Sequence, residues 1–267
     1  MPELPEVECV KNSLARLKGR EFARVTTLTS RLRERVQDDL EECLTGRTVV
    51  DVQRRGKYLV FVLDRGYLVV HLGMTGKLLI DPAPAKHDHV RLQFTDGSEL
   101  VYNDARKFGF LLHELDLADN KYLANVGVEP LSDSFTADQL FALTRKFTRP
   151  IKGFLLDQKF VTGIGNIYAC ELLYQLRIDP EMPTCRLSLA QAQAMVPAIK
   201  QMLLHSIELG GSSISDYVDA DNRKGGFQAT FQVYGRKVDP LGNPVAVSKK
   251  GGRSTYYVPT LQLNTVA

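Results

Sequence analysis

The hydrophobic pattern of the chain changes its period along the sequence, and this change limits the folds that are available. From Phe22 to about Glu114 the apolar residues form short β-branched and aromatic runs, separated by turn residues such as Asp96-Gly97. The runs are Tyr58–Leu63, Tyr67–Leu72, Val90–Phe94 and Leu100–Tyr102. Strands at this spacing, with no helices between them, predict an antiparallel β-sandwich.

Helices are predicted on both sides of the strand-rich part. Leu4, Val7, Val10, Leu14 and Leu17 recur at three- and four-residue steps, which is typical of an amphipathic helix. After Pro130 the period becomes helical, beginning at Thr136 and Gln139, which match a capping box. Further helices are predicted at Pro150–Asp157, Asn166–Leu176 and Ser188–Leu209, the last with a kink at Pro197.

The C-terminal end returns to strand-like runs, which predict a short hairpin module. These runs are Thr230–Tyr234, Val245–Val247 and Ser254–Val258, joined through Gly242-Asn243 and Gly251-Gly252. The fold class is therefore α+β. We expect three domains: a β-sandwich at 1–130, a helical domain at 131–222 and a hairpin at 223–267.

Composition excludes some classes of protein. The chain of 267 residues lacks an apolar run of about 18 residues, which a helix needs to cross a bilayer, and it lacks a signal-peptide pattern. We expect it to be cytoplasmic. Its cysteines have no C-x-x-C spacing, which fits neither a disulfide framework nor a thiolate metal site. Small buried hydrophobes are the simpler interpretation of the four, Cys9, Cys43, Cys170 and Cys185.

The net charge is only +3, but its distribution is uneven. Between Asn222 and Arg253 there is one acidic residue, Asp239, against seven basic residues. The seven are Arg223, Lys224, Arg236, Lys237, Lys249, Lys250 and Arg253. Such a segment is either a solvated tail or a surface that binds nucleic acid.

The N-terminus carries the chemistry that decides the predicted function. Removal of Met1 would leave Pro2 with a free secondary amine. An α-amino group has a pKa of about 8, and the positive end of a helix dipole lowers it further, so part of the amine is neutral and nucleophilic. If this amine attacks a sugar C1′, it forms an iminium that favours β-elimination. Glu3 and Glu6 are candidates for proton transfer, although acidic residues favour the first turn of any helix.

The segment Met1–Glu8 resembles the opening of the formamidopyrimidine-DNA glycosylase family. Further segments resemble family segments in the same order: His71–Gly76, Lys86–Val90, Asp104–Gly109, Gly163–Ala169 and Gln232–Arg236. The resemblance spans essentially the whole chain. It implies a monomeric enzyme that excises oxidised purines, chiefly 8-oxoguanine and formamidopyrimidines, from double-stranded DNA. It also implies cleavage of the resulting abasic site by β,δ-elimination.

The resemblance also assigns roles to individual residues. It implies that Pro2 is the nucleophile and Glu3 the general acid, with Lys57 and Arg253 completing the catalytic set. It places Glu6 beside the lesion. It implies DNA-phosphate contacts from Lys57, His71, Asn166, Tyr234 and Arg253.

Met74, Arg106 and Phe108 match the trio that the family inserts into the duplex. Extruding a base leaves a gap, and apolar wedges with one cation offset the lost stacking. From the residues alone, Met74 and Phe108 equally fit a hydrophobic core. The trio favours the branch of the family that acts on purines.

Two glycine-containing segments have weaker signals. Gly163–Asn166 precedes a predicted helix, where exposed N–H groups can bind a phosphate and Asn166 can cap the helix, although a plain turn has the same pattern. The resemblance implies a helix-two-turn-helix element here. Ser212–Thr230 matches the family loop that covers the everted base, and we expect it to be poorly ordered without DNA.

The chain departs from the family at its C-terminal end. The family usually has a four-cysteine zinc finger there, but this chain has Leu241, Val258 and Leu261 at ligand positions. Leucine and valine cannot bind Zn²⁺, so we expect neither zinc nor another cofactor. Instead, these three residues are predicted to form a small apolar core that holds Arg253 in place.

Two alternative functions stay open at this point. One is a glycosylase of the same fold that prefers oxidised pyrimidines. The other is a DNA-binding protein that senses lesions without cutting, which would follow if Met1 were retained and Pro2 had no free amine.

Overall fold

The computed structural model describes residues 1–214, 216–249 and 252–263. The chain divides into two compact units. Unit 1 comprises Met1–Ala124 and Ile207–Gln228, and unit 2 comprises Asn125–Ser206 and Ala229–Ala267. The predicted domain boundary at residue 130 is close to the point where the chain first passes from unit 1 to unit 2, between Ala124 and Asn125. The C-terminal hairpin belongs to unit 2 together with the helical segment. A three-domain division remains a prediction.

Unit 1 contains the predicted sandwich strands. Within the described residues these form two four-stranded antiparallel sheets, ordered β1-β6-β7-β5 and β2-β3-β4-β8. Their bounds are β1 Phe22–Thr27, β2 Val49–Arg55, β3 Tyr58–Leu63, β4 Tyr67–His71, β5 Lys77–Ile80, β6 Asp88–Phe94, β7 Glu99–Asn103 and β8 Phe110–Glu114. Apolar side chains from both sheets share one core, which confirms the α+β class with a sandwich-like N-terminal part.

The first helix, α1 (Leu4–Leu14), packs Val7, Val10 and Leu14 into this same core. Its N-cap is Glu3, because the side chains and backbones of Glu3 and Glu6 form a reciprocal capping box. A second short helix, α2 (Leu40–Leu44), also belongs to unit 1. The predicted amphipathic helix is confirmed.

Unit 2 contains the remaining α-helices, except that the last two residues of the final helix, Ile207 and Glu208, group with unit 1. These helices are α3 (Ala137–Thr144), α4 (Ile151–Leu155), α5 (Asn166–Gln175) and α6 (Leu189–Glu208). The Thr136 hydroxyl accepts the Gln139 N–H at 3.2 Å, which confirms the predicted start of α3. α6 continues as one helix on both sides of Pro197. Among the residues that the structure describes, no helix is long and apolar enough to cross a membrane.

The prediction of a strand at Thr230–Tyr234 is wrong. This segment forms the end of a 3-10 helix, Phe227–Thr230, followed by turns. The cause is Glu171 on α5, whose carboxylate accepts the backbone N–H groups of Gln232, Val233 and Tyr234 at 2.7 to 3.0 Å. A buried carboxylate therefore takes the donors that a strand ladder would have used.

The predicted C-terminal hairpin is confirmed for its two last runs. β9 (Ala246–Ser248) pairs antiparallel with β10 (Thr255–Tyr257). Lys250 and Gly251, which belong to the predicted tip, lie outside the described residues. Val258 is fully buried beneath this hairpin with Cys170, Tyr174 and Val233, and Leu261 packs against them.

The predicted place of Leu241 in that core is wrong. Leu241 is 66% exposed. It lies in a turn that Asp239 organises, since the Asp239 carboxylate accepts the N–H groups of Leu241 at 2.9 Å and of Asn243 at 2.7 Å. Val245, Tyr234 and Tyr256 border the core instead.

We expect Val258→Ala to lower the free energy of unfolding by about 2 kcal/mol, because it leaves a cavity in a fully packed cluster. Leu241→Ala is the matched control and should cost about 0.5 kcal/mol or less, because its side chain is in water. Urea unfolding of both variants measures the difference. Equal losses for the two variants would contradict this assignment of the core.

Candidate active site

The first turn of α1 brings together the residues predicted to act on the sugar. Pro2 is buried at the start of the helix, whereas Met1 is 45% exposed. Glu3 and Glu6 are only 3% and 2% exposed. Their capping box includes a 2.8 Å hydrogen bond from the Glu3 N–H to Glu6 Oε2. The carboxylates are therefore held within one turn of the proline.

The other oxygen of Glu6 holds a loop that follows α6. Oε1 of Glu6 accepts the Ser212 N–H at 2.7 Å and the Ser212 hydroxyl at 2.9 Å. The Tyr217 hydroxyl donates to the backbone carbonyl of Glu6 at 3.1 Å. Gly211 has a φ of +80° and lies so close that a Cβ there would be 3.1 Å from Glu6 Cγ. Ser212 and Tyr217, in the segment predicted to cover the lesion, thus contact the first turn of α1.

Lys57 lies in the tight turn between β2 and β3 and is 5% exposed. Gly56, with a φ of +58°, makes this turn possible. The Arg54 guanidinium donates to the Gly56 carbonyl at 3.0 Å and to Glu8 Oε2 on α1 at 2.6 Å. The turn that carries Lys57 is therefore fastened to the helix that carries Pro2.

Arg54 and Glu8 were not predicted as site residues, although Glu8 lies in the segment Met1–Glu8 that resembles the family opening. Burial favours the neutral form of Glu8. Hydrogen bonds from Lys11 and Arg54 outweigh it and lower the pKa of Glu8 below its usual value. The available signals were weak, because Arg54 lies four residues before the predicted strand run Tyr58–Leu63 and Glu8 is one of several polar residues on the predicted helix.

His71 is buried at the end of β4, close to Lys57. Its Nδ1 accepts the Gly73 N–H at 3.1 Å, and its ring lies 4.9 Å from Tyr58 and 5.5 Å from Phe110 between centroids. Burial, and then the cations of Arg33 and Lys57, lower the pKa of His71 to about 4. A neutral ring that accepts at Nδ1 carries its proton on Nε2, which can donate to a phosphate oxygen.

Met74 and Phe108 are 38% and 45% exposed, so the core interpretation of these two residues is excluded. They lie on two neighbouring loops of unit 1. The Arg106 guanidinium stacks over the Phe108 ring, 4.6 Å from its centroid. The trio forms an exposed apolar surface with one cation.

In unit 2, Asn166 is the first residue of α5, and Gly165 is its N-cap, so the expectation that Asn166 caps the helix is wrong. Its side chain is engaged elsewhere: Oδ1 accepts from Lys152 Nζ at 2.6 Å, and Nδ2 donates to the Ser254 carbonyl at 2.8 Å. Ser254 follows Arg253, which is exposed. Lys152, which is 5% exposed on α4, was not among the predicted site residues.

Tyr234 lies beside the hairpin, with its ring 4.8 Å from the Tyr256 ring, and Glu171 holds its backbone N–H. Asn166, Tyr234 and Arg253 therefore lie on unit 2. The other predicted site residues, Pro2, Glu3, Glu6, Lys57, His71, Met74, Arg106 and Phe108, lie on unit 1.

The hairpin does not fit a zinc ion. Val258 is fully buried in an apolar cluster and Leu241 is exposed, and neither side chain has a donor atom for a metal. Across the described part of the chain, there is no group of three or more histidine, cysteine, aspartate or glutamate side chains that could hold a metal. Burial raises the pKa of the Cys9 thiol to about 12, so this thiol is a poor nucleophile and a poor metal ligand.

Comparison with known proteins gives consistent matches. The formamidopyrimidine-DNA glycosylase N-terminal domain matches residues 1–111, and the formamidopyrimidine-DNA glycosylase H2TH domain matches residues 126–218. A formamidopyrimidine-DNA glycosylase of Yersinia pestis (strain Pestoides F) is 40% identical over 100% of this chain and 98% of its own. One of Yersinia pseudotuberculosis serotype O:1b is 41% identical over 96% of this chain and 98% of its own.

Solved structures match over the same length. A Lactococcus lactis FPG mutant in complex with Fapy-dG containing DNA has a TM-score of 0.88 and 35% identity, covering 98% of this chain and 99% of that chain. The MutM (Fpg) protein of Thermus thermophilus has a TM-score of 0.86 and 35% identity, covering 98% of each chain.

We expect His71→Gln to alter how stability depends on pH. The folded-state pKa of His71, about 4, is below the unfolded value of about 6.5. The stability that the neutral His71 ring contributes is therefore present above pH 6.5 and is lost as pH falls towards 4. Between pH 7 and pH 4.5 the stability advantage of wild type over His71→Gln should shrink by about 2 kcal/mol. Urea unfolding at several pH values measures it. A difference that is constant with pH would contradict the buried neutral ring.

Proposed function

The chain belongs to the formamidopyrimidine-DNA glycosylase family, and on that premise we propose that it excises oxidised purines from double-stranded DNA and cleaves the abasic site. The observation that carries the proposal is the first turn of α1, where Pro2 is buried beside two nearly inaccessible carboxylates. An amine nucleophile and a proton donor are what this chemistry requires. The Lactococcus lactis relative in complex with Fapy-dG containing DNA supports an oxidised purine as the substrate.

Pro2 acts once Met1 has been removed. Its neutral amine bonds to C1′ as the glycosidic bond breaks, and the proton that the amine nitrogen then loses passes to the leaving base. Glu3 donates a proton to the sugar ring oxygen, the C1′–O4′ bond opens, and an iminium remains. Loss of a C2′ proton then expels the 3′-phosphate, and a second elimination expels the 5′-phosphate.

Lys57 and His71 hold the phosphate beside the lesion. Lys57 supplies the charge, and the neutral His71 supplies an N–H from Nε2. Arg54 joins the turn that carries Lys57 to Glu8 on α1 through its hydrogen bonds. These bonds hold Lys57 at a fixed position relative to Pro2. This tether supports simultaneous contact with the sugar and with its phosphate.

Glu6 and the trio act on the damaged base. Met74 and Phe108 enter the gap that the everted base leaves, and Arg106 faces the orphaned partner base. Glu6 contacts the lesion at the edge of the loop that it holds through Ser212.

Unit 2 binds the DNA backbone through Asn166, Tyr234 and Arg253. The cationic neighbours Lys152 and Lys249 add an attraction to phosphate that weakens with salt. We further propose that the enzyme is a cytoplasmic monomer that needs no cofactor, because its reaction uses an amine and carboxylates of the chain.

A covalent trapping experiment tests the nucleophile. The mature protein, incubated with an 8-oxoguanine duplex and sodium borohydride, should form a covalent adduct, because hydride reduces the iminium. A form that is acetylated at its N-terminus should form none. Pro2→Gly keeps an amine and should be trapped more slowly. Glu3→Gln should slow excision by about 10²- to 10⁴-fold.

The alternatives predict different outcomes of the same assay. If the mature protein forms no adduct, it senses lesions without cutting them. If it excises thymine glycol faster than 8-oxoguanine opposite cytosine, it prefers oxidised pyrimidines.

A metal assay tests the account of the hairpin. The purified protein should contain far less than one zinc per chain, and EDTA should change neither its Tm nor its affinity for DNA, because Val258 packing replaces metal ligands. Stoichiometric zinc, or a fall in Tm with EDTA, would refute it.

A further inference from the structure

Asp104 is fully buried where the two loops that carry the trio meet. One loop follows β4 and carries Met74. The other connects β7 to β8 and carries Arg106 and Phe108. Asp104 takes no part in the proposed reaction, so its burial needs a separate explanation.

The carboxylate of Asp104 accepts hydrogen bonds from both loops. Oδ1 accepts from the Thr75 hydroxyl at 2.5 Å and from the Arg106 N–H at 3.2 Å. Oδ2 accepts from the Gly109 N–H at 2.9 Å and from the Tyr102 hydroxyl at 3.3 Å. One buried side chain therefore fixes two backbone positions of the second loop and a side chain of the first.

Thr75 completes the link between the loops. Its hydroxyl has a single proton, which it donates to Asp104, and its oxygen accepts the Arg106 N–H at 3.2 Å. The Arg106 N–H is thus shared between Asp104 and Thr75. Removing this hydroxyl would break the side-chain bridge that joins the Met74 loop to the Arg106 loop.

The loops also pack backbone against backbone. A Cβ at Gly73 would lie 2.4 Å from the Phe108 carbonyl carbon, and one at Gly109 would lie 2.2 Å from the His71 carbonyl oxygen. No side chain fits between them. Hydrogen bonds and close backbone packing hold the buried side of the two loops together. Met74 and Phe108 are exposed on the outer side.

We propose that Asp104 and Thr75 are positioning residues that hold Met74, Arg106 and Phe108 in their inserting arrangement before DNA binds. Preorganised loops lose less conformational entropy on insertion, so the wedge enters the duplex faster. This inference rests on the role proposed above for the trio.

The test uses the full mature protein and a duplex with 2-aminopurine next to 8-oxoguanine. Unstacking raises the fluorescence of 2-aminopurine, and stopped-flow mixing gives the rate of wedge insertion. Thr75→Val should slow insertion about tenfold, because one hydrogen bond to a carboxylate is lost. Thr75→Ser keeps the hydroxyl and should remain within about twofold of wild type.

A second measurement separates positioning from general damage to the enzyme. Borohydride trapping on single-stranded abasic DNA, where no stacked base has to be moved, should be unchanged in Thr75→Val. A wild-type insertion rate for Thr75→Val would overturn the inference, as would an equal loss of single-stranded trapping. Phe108→Ala serves as the benchmark: a wild-type insertion rate for this variant would overturn the wedge role itself.

Discussion

The capping box between Glu3 and Glu6 is the interaction on which the rest of the site depends. It satisfies N–H donors at the start of α1 and so determines where the helix begins and where Pro2 lies. The same Glu6 carboxylate accepts two hydrogen bonds from Ser212, more than 200 residues away in sequence. A local rule of helix formation thereby also positions a distant loop beside the helix start that carries Pro2.

Other buried carboxylates of the chain order loops in the same way. Glu171 binds three consecutive backbone N–H groups, Asp239 binds two, and Asp104 binds two together with two hydroxyls. Burying a charge is costly unless donors surround it. Because each carboxylate meets several donors, its hydrogen bonds stabilise the loop arrangement that the structure shows. The segments concerned carry Tyr234, Leu241 and Arg106.

The hydrophobic periodicity of the sequence predicted most of the fold, because strands and helices with one buried face have apolar residues at regular intervals. One failure comes from residues far apart in sequence, because nothing within Thr230–Tyr234 reveals that Glu171 will take its donors. The failure at Leu241 is local: the turn that Asp239 organises two residues earlier leaves exposed a side chain that the family resemblance had placed in the core. The motifs of the site could be identified in the sequence because the residues of each motif are close together in the chain. The Arg54–Glu8 pair could not, because it joins positions 46 residues apart.

A C-terminal hairpin of this kind can be stabilised either by metal bonds or by apolar packing. A zinc ribbon is held by metal bonds that require deprotonated ligands, whereas this hairpin has Val258 packed against Tyr174 and Val233. A second tether, from Asn166 to the carbonyl of Ser254, lies one residue from Arg253. The stability that comes from apolar packing does not depend on pH or on the metal concentration, but it decreases on cooling, as hydrophobic stabilisation does. The position of Arg253 therefore depends on the helical segment that supplies Tyr174 and Asn166, and the DNA contact that we propose for Arg253 is coupled to the stability of α5.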